Sequence, residues 1–221
     1  MSKQDQLKEI HISGKPYAIY KSVNGFDLYT DFSKKIILNN KNVYSFLNKK
    51  RVGKKFKETD LFIGFFGYEL LNNLIGIKIP KQKSINFPKG IFYKPEKKIS
   101  YNNNLINYKA HKVRPKTKFK ININKKSYTK IFDKFKRKIK SGETYQIKIY
   151  TKYKLKSKID PLDFFCRLSR TNLAPEAFMI RDKDYSIISC SPENLIIKKG
   201  LNIFTKPIAG TVKKTTSLNK I

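Results

Sequence analysis

The sequence predicts an α+β protein with antiparallel β-sheets and helices on the outside. Apolar residues recur at helical spacing in two segments of the second half of the chain. Several other segments alternate between polar and apolar residues and are separated by short turns. In the second half, the resulting order of helix, long strand, helix and antiparallel meander is typical of the α+β class.

The front of the chain predicts short strands. Residues 16–20 and 26–30 alternate in polarity, and Asn24-Gly25 between them favours a hairpin turn. Residues 61–66 form an apolar, aromatic-rich run of the kind found in a buried strand.

A polar, proline-containing stretch over residues 78–126 predicts a loop-rich region. Short edge strands are expected in it at residues 91–93 and 105–108. This stretch ends the first of two expected portions, a strand- and loop-rich part over residues 1–126. The second portion, residues 127–221, contains the clearer helical and strand patterns.

The second portion is predicted to begin with a helix that Ser127 caps and that Gly142 ends in a left-handed conformation. Its apolar residues recur at helical spacing: Tyr128, Ile131, Phe132, Phe135 and Ile139. Residues 145–155 then alternate, which predicts a long strand with Gln146 on its polar face.

Asp160 and Pro161 are predicted to start a second helix, in the N-cap and N1 positions. Cys166 falls on or beside the inner face of this helix, where a small buried side chain is expected. Four short strands are predicted after it, at residues 177–181, 185–190, 194–198 and 201–206.

The charge is strongly positive, with 49 Lys and Arg against 16 Asp and Glu and a formal net charge of +33. Such a balance is compatible with nucleic-acid binding, because phosphate contacts dominate that interaction. Only six of the cations are Arg, however, and Arg is favoured for bidentate recognition of phosphates and bases. Lys, Ile and Asn share A/T-rich codons, so codon bias explains the excess better and we expect no nucleic-acid partner.

Composition also limits location and metal chemistry. No apolar run approaches the roughly 20 residues of a membrane span, and the start lacks a signal-peptide pattern. Two cysteines form no disulfide framework, so a cytoplasmic protein without a membrane partner is expected. His11 and His111 are isolated in the sequence and are expected to be surface histidines.

Four segments occur in order between residues 141 and 211. They are Ser-Gly-Glu-Thr-Tyr-Gln (141–146), Asn-Leu-Ala-Pro (172–175), Ser-Pro-Glu (191–193) and Pro-Ile-Ala-Gly-Thr (207–211). Their order and spacing resemble the chorismate-utilising enzymes, specifically component I of anthranilate synthase and of aminodeoxychorismate synthase. Gly-Phe-Phe-Gly-Tyr (64–68) is similar to a segment in the front half of the same enzymes.

Two positions relate this chain to particular members of that family. Family members that use ammonia have Gln at the position of Gln146, whereas those that add water have Lys, which can activate water as a base. Aminodeoxychorismate synthases have a nucleophilic Lys at the position of Ala209. Because alanine has no nucleophile, the resemblance implies anthranilate formation, with Gln146 and Ala209 as the catalytic positions.

The resemblance also implies the fold, the ligands and the partner. The expected fold is like that of anthranilate synthase component I but truncated at its C-terminus, and residues 127–221 begin the chorismate-binding portion. Substrate contacts are expected from Ile208, Ala209, Gly210 and Thr211. The implied Mg²⁺ cofactor has its ligands beyond residue 221 in this family, so none is expected in this chain. A glutamine amidotransferase subunit is the implied source of ammonia.

Some features are similar to aminodeoxychorismate synthases instead, and that product stays the closest alternative. Anthranilate synthases that tryptophan inhibits have Pro-Tyr-Met at the positions of Pro175, Glu176 and Ala177. Glu and Ala replace the Tyr and Met here, so these are vestigial effector positions and no tryptophan inhibition is expected.

Two further hypotheses belong to other classes. One is a basic nucleic-acid-binding module, and the other is an inactive remnant that only binds an amidotransferase. The family's metal ligands and an active-site histidine lie beyond the position of Thr211, so residues 1–221 alone are expected to be inactive.

Overall fold

The computed structural model describes residues 3–48, 57–70, 74–76, 87–102, 108 and 118–208. The chain divides into two compact units. The sheet unit comprises Met1–Tyr108 and Pro161–Ile221, and the helical unit comprises Lys109–Asp160. The predicted boundary between residues 126 and 127 falls inside the helical unit, and the division into 1–126 and 127–221 stays a prediction.

The described strands and helices follow in chain order. The strands are β1 (Tyr17–Ser22), β2 (Gly25–Ile37), β3 (Ile63–Phe66), β4 (Gly90–Tyr101), β5 (Lys120–Ile121), β6 (Tyr153–Lys154), β7 (Glu176–Arg181), β8 (Ser186–Ser191), β9 (Ile197–Lys199) and β10 (Asn202–Phe204). The helices are α1 (Lys3–Ile12), α2 (Val43–Leu47), α3 (Lys125–Lys140) and α4 (Pro161–Thr171), and a 3-10 turn spans Tyr68–Leu70.

Within the described residues, six strands of the sheet unit form one sheet in the order β3-β4-β2-β1-β7-β8. Every neighbouring pair is antiparallel. Together with the helices, this confirms the predicted α+β class with antiparallel sheets. The likeness to the fold of anthranilate synthase component I stays a prediction.

The hairpin of β1 and β2 confirms the two strands predicted near the start of the chain. Ser22 and Gly25 are its last register pair, so Val23 and Asn24 form the turn, one position before the predicted one. Gly25 has a φ of 154°, which a residue with a side chain rarely adopts.

Strand β4 corrects the predicted short edge strand at residues 91–93. It is 12 residues long and lies between β3 and β2. Its lysines gave it a polar appearance, but Lys98 lies 3.3 Å from a carboxylate oxygen of Asp27 and 3.0 Å from one of Glu58. Pro95 is tolerated because β2 bulges opposite it, where Ser33 has no register partner. The strand predicted at residues 105–108 falls on positions of which only Tyr108 is described.

One face of the sheet packs against α1 and α4. Phe165 of α4 contacts Phe26 of β2 edge-to-face with ring centroids 5.7 Å apart, and Cys166 is buried as predicted. Helix α1 was not predicted, and the expectation of a surface His11 is wrong. Its ring is buried and Nδ1 lies 2.8 Å from the hydroxyl of Tyr17, because α1 lies over this face.

The opposite face is rich in aromatic residues. Tyr20 stacks on Phe178 with centroids 5.4 Å apart, and Phe32 stacks on Tyr93 at 4.8 Å. A separate cluster at the end of β2 joins Leu38 to Phe92 of β4. The predicted strand at residues 61–66 is confirmed as β3, which adds Ile63 to the aromatic face.

A buried carboxylate connects β7 to β2 and β4. Asp182 accepts hydrogen bonds from Lys35 Nζ at 2.7 Å and from the hydroxyl of Tyr93. The backbone N–H of Lys183 donates to its other oxygen at 2.7 Å, and the hydroxyls of Tyr93 and Tyr185 lie 3.1 Å apart. We call these five residues the Asp182 cluster.

Burial by itself raises the pKa of the Asp182 carboxyl, but the hydrogen bonds from Lys35, Tyr93 and the Lys183 N–H outweigh it. The pKa is about 2, below the ordinary value of 3.8. Burial and the hydrogen bond to Asp182 raise the pKa of Tyr93, and burial raises that of Tyr185 to about 12. At neutral pH the Asp182 carboxyl is therefore an anion, and the phenols of Tyr93 and Tyr185 are neutral.

The C-terminal part of the sheet unit matches its predicted meander in outline. β7 and β8 form the predicted hairpin, and α4 follows Asp160 and Pro161 as expected. β9 and β10 form a separate two-stranded hairpin whose turn contains Gly200 at a φ of +61°.

The helical unit confirms one element and corrects another. Helix α3 is present, but Asn124 caps it by accepting from the N–H of Ser127 at 2.8 Å, so the predicted cap is three residues late. Gly142 ends it at a φ of +76°, as predicted. The long strand predicted over residues 145–155 is wrong: among the described residues only its short part β6 pairs, with β5.

We expect the Asp182 cluster to make stability depend on acid pH. Because the folded pKa lies below the unfolded value, the contribution is complete above about pH 4 and is lost as the pH falls toward 2. It amounts to at most about 2 kcal/mol, and less where solvent screens the half-exposed Lys35. Urea unfolding of the protein and of Asp182→Asn should differ at pH 7 and converge near pH 2.

Asp184→Asn is the matched control, since Asp184 is an exposed neighbour. It should leave the free energy of unfolding nearly unchanged at every pH. A constant difference between the protein and Asp182→Asn from pH 7 to pH 2 would contradict the assigned role of the cluster.

Gly64 of β3 lies where β3 and β4 approach closely. An added Cβ would overlap the carbonyl oxygen of Ile91 and lie 2.7 Å from Phe92 Cα. We expect Gly64→Ala to lower the free energy of unfolding by about 2 kcal/mol or more. Gly142→Ala meets no atom within 4 Å and should cost only about 1 kcal/mol through its positive φ. Equal effects in thermal unfolding would show that crowding at Gly64 is unimportant.

Candidate functional site

Gln146 lies in the helical unit, on exposed backbone outside any strand. Its carbonyl oxygen accepts a hydrogen bond from the hydroxyl of Thr144 at 3.2 Å. The polar strand face on which this side chain was predicted does not form in the described structure, so the side chain faces solvent there.

The predicted substrate loop is described only at its start. Ile208 is 55% exposed, whereas Ala209, Gly210 and Thr211 lie outside the described residues. Gln146 and Ile208 also belong to different units. The assembly of these residues around one substrate therefore stays a prediction.

Two of the motifs do meet, at one end of the β7–β8 hairpin. The register pairs Glu176 with Ser191 and Ala177 with Cys190. This brings the segment Asn-Leu-Ala-Pro (172–175) beside Ser-Pro-Glu (191–193), although 15 residues separate them in the chain. The juxtaposition follows from the hairpin, since antiparallel strands joined by a short turn return to their starting point.

Side chains hold this junction together. Asn194 Nδ2 donates to Glu176 Oε1 at 2.6 Å, and Lys21 Nζ donates to the carbonyl oxygen of Ala174 at 2.9 Å. The hydroxyl of Ser191 accepts from the N–H of Glu193 at 3.3 Å and donates to its carbonyl at 2.9 Å. We call Lys21, Ala174, Glu176, Ser191 and Asn194 the motif junction.

The three positions predicted to be vestigial effector positions lie in or directly beside this junction. Pro175 is exposed, Glu176 is engaged by Asn194, and Ala177 is 3% exposed within the core beneath α4. The sequence pattern gave no sign of Lys21, because 153 residues separate it from Ala174. Asn194 could have been identified from the sequence, because it follows directly after the Ser-Pro-Glu motif.

Cys190 lies on β8 within the same hairpin. Burial raises the pKa of its thiol, and the nearby Lys21 lowers it by a smaller amount. The thiol is therefore protonated at neutral pH, which disfavours a nucleophilic role.

The glycines of Gly-Phe-Phe-Gly-Tyr have an architectural role in the structure. Gly64 allows β3 to approach β4, and the N–H of Gly67 donates to the carbonyl of Lys89 at 2.6 Å. Tyr68 is 69% exposed at the start of the following 3-10 turn. Backbone packing therefore explains why this motif has glycine at positions 64 and 67.

The described residues contain no group of three or more His, Cys, Asp or Glu side chains that could hold a metal ion. The Mg²⁺ that the family resemblance implies therefore does not find a ligand set among them. No helix in the described part of the chain is both long and apolar enough to cross a membrane.

Comparison with known proteins agrees with the motif series. The model of a family described as chorismate binding enzyme matches residues 13–220. Anthranilate synthase component 1 of Haloferax volcanii is 30% identical to the chain over 59 residues. This segment covers 27% of the chain and 11% of the relative, so the alignment spans about a tenth of that protein.

Proposed function

The chain belongs to the family of chorismate-binding enzymes, and we propose that it contributes to a synthase that aminates chorismate to give anthranilate. The observation that carries this proposal is the pair of Gln146 and Ala209 within a family match that spans residues 13–220. The similarity to an anthranilate synthase component supports the same choice of product.

The proposed reaction balances without an added oxidant or reductant. Ammonia forms a bond to C2 of the chorismate ring, and the hydroxyl on C4 leaves as water. The enolpyruvyl side chain is then eliminated as pyruvate while the ring becomes aromatic. One chorismate and one ammonia give one anthranilate, one pyruvate and one water.

Gln146 and Ala209 have complementary roles in this proposal. A neutral amide at position 146 hydrogen-bonds to substrate but has no basic group to activate water. The methyl group of Ala209 leaves the space beside C2 to free ammonia and offers no competing amine. Amination by ammonia is the outcome that this combination permits.

The loop after Pro207 supplies the remaining proposed contacts. Glycine at position 210 lets the backbone approach a ligand closely, and Thr211 adds a hydroxyl that can donate to a carboxylate. Ile208 precedes these residues and would border the ring. A separate glutamine amidotransferase subunit is the proposed source of ammonia, and no step is assigned to Mg²⁺.

Formation of aminodeoxychorismate is the second candidate. The observation that favours it is the sequence Pro175-Glu176-Ala177, which lacks the Tyr and Met of tryptophan-inhibited anthranilate synthases. Its product retains the enolpyruvyl side chain, so pyruvate appears only when a separate lyase acts. The release of pyruvate distinguishes the two candidates.

Product analysis of the whole protein that the gene encodes tests the proposal. With chorismate, ammonium and Mg²⁺, we expect anthranilate fluorescence and pyruvate to increase in equal amounts. Gln146→Lys should lower the rate of anthranilate formation about tenfold or more, because a base that activates water replaces the amide. Asn102→Lys adds the same charge at an exposed position of the sheet unit and should have little effect.

Other products would count against anthranilate synthesis. An aminated product that retains its side chain would establish the second candidate. A hydroxylated product would place the protein in the water-adding branch, and equal rates for Gln146→Lys and the unaltered protein would remove Gln146 from the site.

Tryptophan should not regulate this protein. Glu176 already binds Asn194 and Ala177 is packed in the core, so two of the three predicted effector positions have internal partners. We expect micromolar tryptophan to change neither the rate of the whole protein nor its melting temperature. A rise in melting temperature with tryptophan, absent with phenylalanine as the control, would show that an effector site remains.

A further inference from the structure

A Schellman motif ends α3 where the segment Ser-Gly-Glu-Thr-Tyr-Gln (141–146) begins. Gly142 adopts the left-handed conformation, with a φ of +76°. Its N–H donates to the carbonyl of Ile139 at 3.1 Å, and the N–H of Glu143 donates to the carbonyl of Lys138 at 3.0 Å. These two hydrogen bonds fix the direction in which the chain leaves the helix.

The side chains of Glu143 and Lys138 repeat the connection that their backbones make. Lys138 Nζ donates to one carboxylate oxygen of Glu143. The hydroxyl oxygen of Ser141 lies 3.3 Å from the other carboxylate oxygen and 3.1 Å from the carbonyl oxygen of Lys138. An apolar contact often joins these two positions of a Schellman motif, whereas an ion pair joins them here.

The Glu143 carboxylate keeps its charge at the pH of an enzyme assay. The hydrogen bond from Lys138 and then the positive charge of that residue hold the pKa of the carboxyl below its ordinary value of 4.5. The ion pair therefore persists across neutral pH, where Glu143 is fully ionised.

Thr144 continues the series of contacts to Gln146. Its hydroxyl donates to the carbonyl oxygen of Gln146 at 3.2 Å, whereas the side chain of Tyr145 is 92% exposed. Every one of these contacts lies within residues 138–146, so the arrangement forms without distant parts of the chain. Local contacts therefore connect the end of α3 to the residue proposed to meet the substrate.

We propose that Glu143 and Lys138 are positioning residues that hold the backbone of Gln146 at a fixed place relative to α3. The inference rests on the proposed function, because it takes Gln146 as a residue of the chorismate site. Neither Glu143 nor Lys138 touches the substrate in this arrangement, and both act through the segment that they anchor. Lys138 lies outside the motif and was not singled out by the sequence pattern.

An exposed ion pair is suited to this task although it adds little to stability. The side chains of Lys138 and Glu143 are 39% and 55% exposed, and pairs in such positions contribute little to the free energy of unfolding. A displacement of about 1 Å at a reacting site, by contrast, can lower a rate about 100-fold. Loss of the pair should therefore change the rate more than the stability.

Single variants of the whole protein that the gene encodes test the proposal. Glu143→Gln and Lys138→Gln keep the Schellman backbone bonds, and each should slow chorismate consumption about fivefold or more while the melting temperature hardly changes. Lys138→Arg keeps the cation and should retain the rate. Lys134→Gln removes a charge from an exposed position of the same helix and is the matched control. Equal rates for Lys138→Gln and Lys134→Gln overturn the proposal.

A double-mutant cycle shows whether Glu143 acts through Gln146. In the Gln146→Ala background, Glu143→Gln should lower the rate of chorismate consumption no further, because the residue that it positions is gone. A residue with a merely structural role would lower the rate by the same factor in both backgrounds. That result would overturn the positioning role.

Hydrogen exchange tests the same inference without the reaction. The backbone amides of residues 142–146 should exchange severalfold faster in Glu143→Gln than in Lys134→Gln, because the first variant loosens the segment after α3. Equal exchange in the two variants overturns the proposal whichever product is formed. Faster exchange in a protein that consumes no chorismate would contradict the proposed function, whereas the anchoring of the segment by Glu143 would stand.

Discussion

The antiparallel ladder between β2 and β4 is the constraint on which the sheet unit depends. It runs through ten register pairs, from Phe26 and Tyr101 to Ile37 and Ile91, with one bulge. Each of the three apolar clusters takes residues from β4 and from β2 or the residue that follows it. A shift of one residue would move every side chain of a strand to the opposite face, so this register fixes all three clusters together.

Local patterns predicted much of this fold but missed its central strand. The β1–β2 and β7–β8 hairpins and the start of α4 follow from alternation, turn residues and Pro161, all of which act over a few residues. Strand β4 was underestimated because Lys94, Lys98 and Pro95 look like edge residues. The carboxylate partners of Lys98, Asp27 and Glu58, and the bulge opposite Pro95 come from distant parts of the chain. The alternation over residues 145–155 led to the opposite error, a predicted long strand of which only β6 pairs. Alternation alone does not make a strand, because the backbone also needs a hydrogen-bonding partner along its length.

The candidate site shows the same division between local and distant information. The order of the motifs identified the family, and the meeting of residues 172–175 with 191–193 follows from their hairpin. Lys21 could not be predicted, because it reaches Ala174 only after β1 pairs with β7. Gly64, Gly67 and Ser191 contact the backbone. Some of the motif residues by which the family is identified therefore stabilise the fold. The proposed chemistry depends instead on Gln146 and the loop around Ala209.

Lysine has different physical consequences in the two units. In the sheet unit, Lys35 and Lys98 bind Asp182, Asp27 and Glu58, and thereby connect strands distant in sequence. The helical unit has too few carboxylates for such pairing, since 19 cations face three anions. Its excess charge must be balanced by ions or by a partner. The sheet unit keeps its own excess, with 30 Lys and Arg against 13 Asp and Glu, so its ion pairs connect distant segments without neutralising the unit.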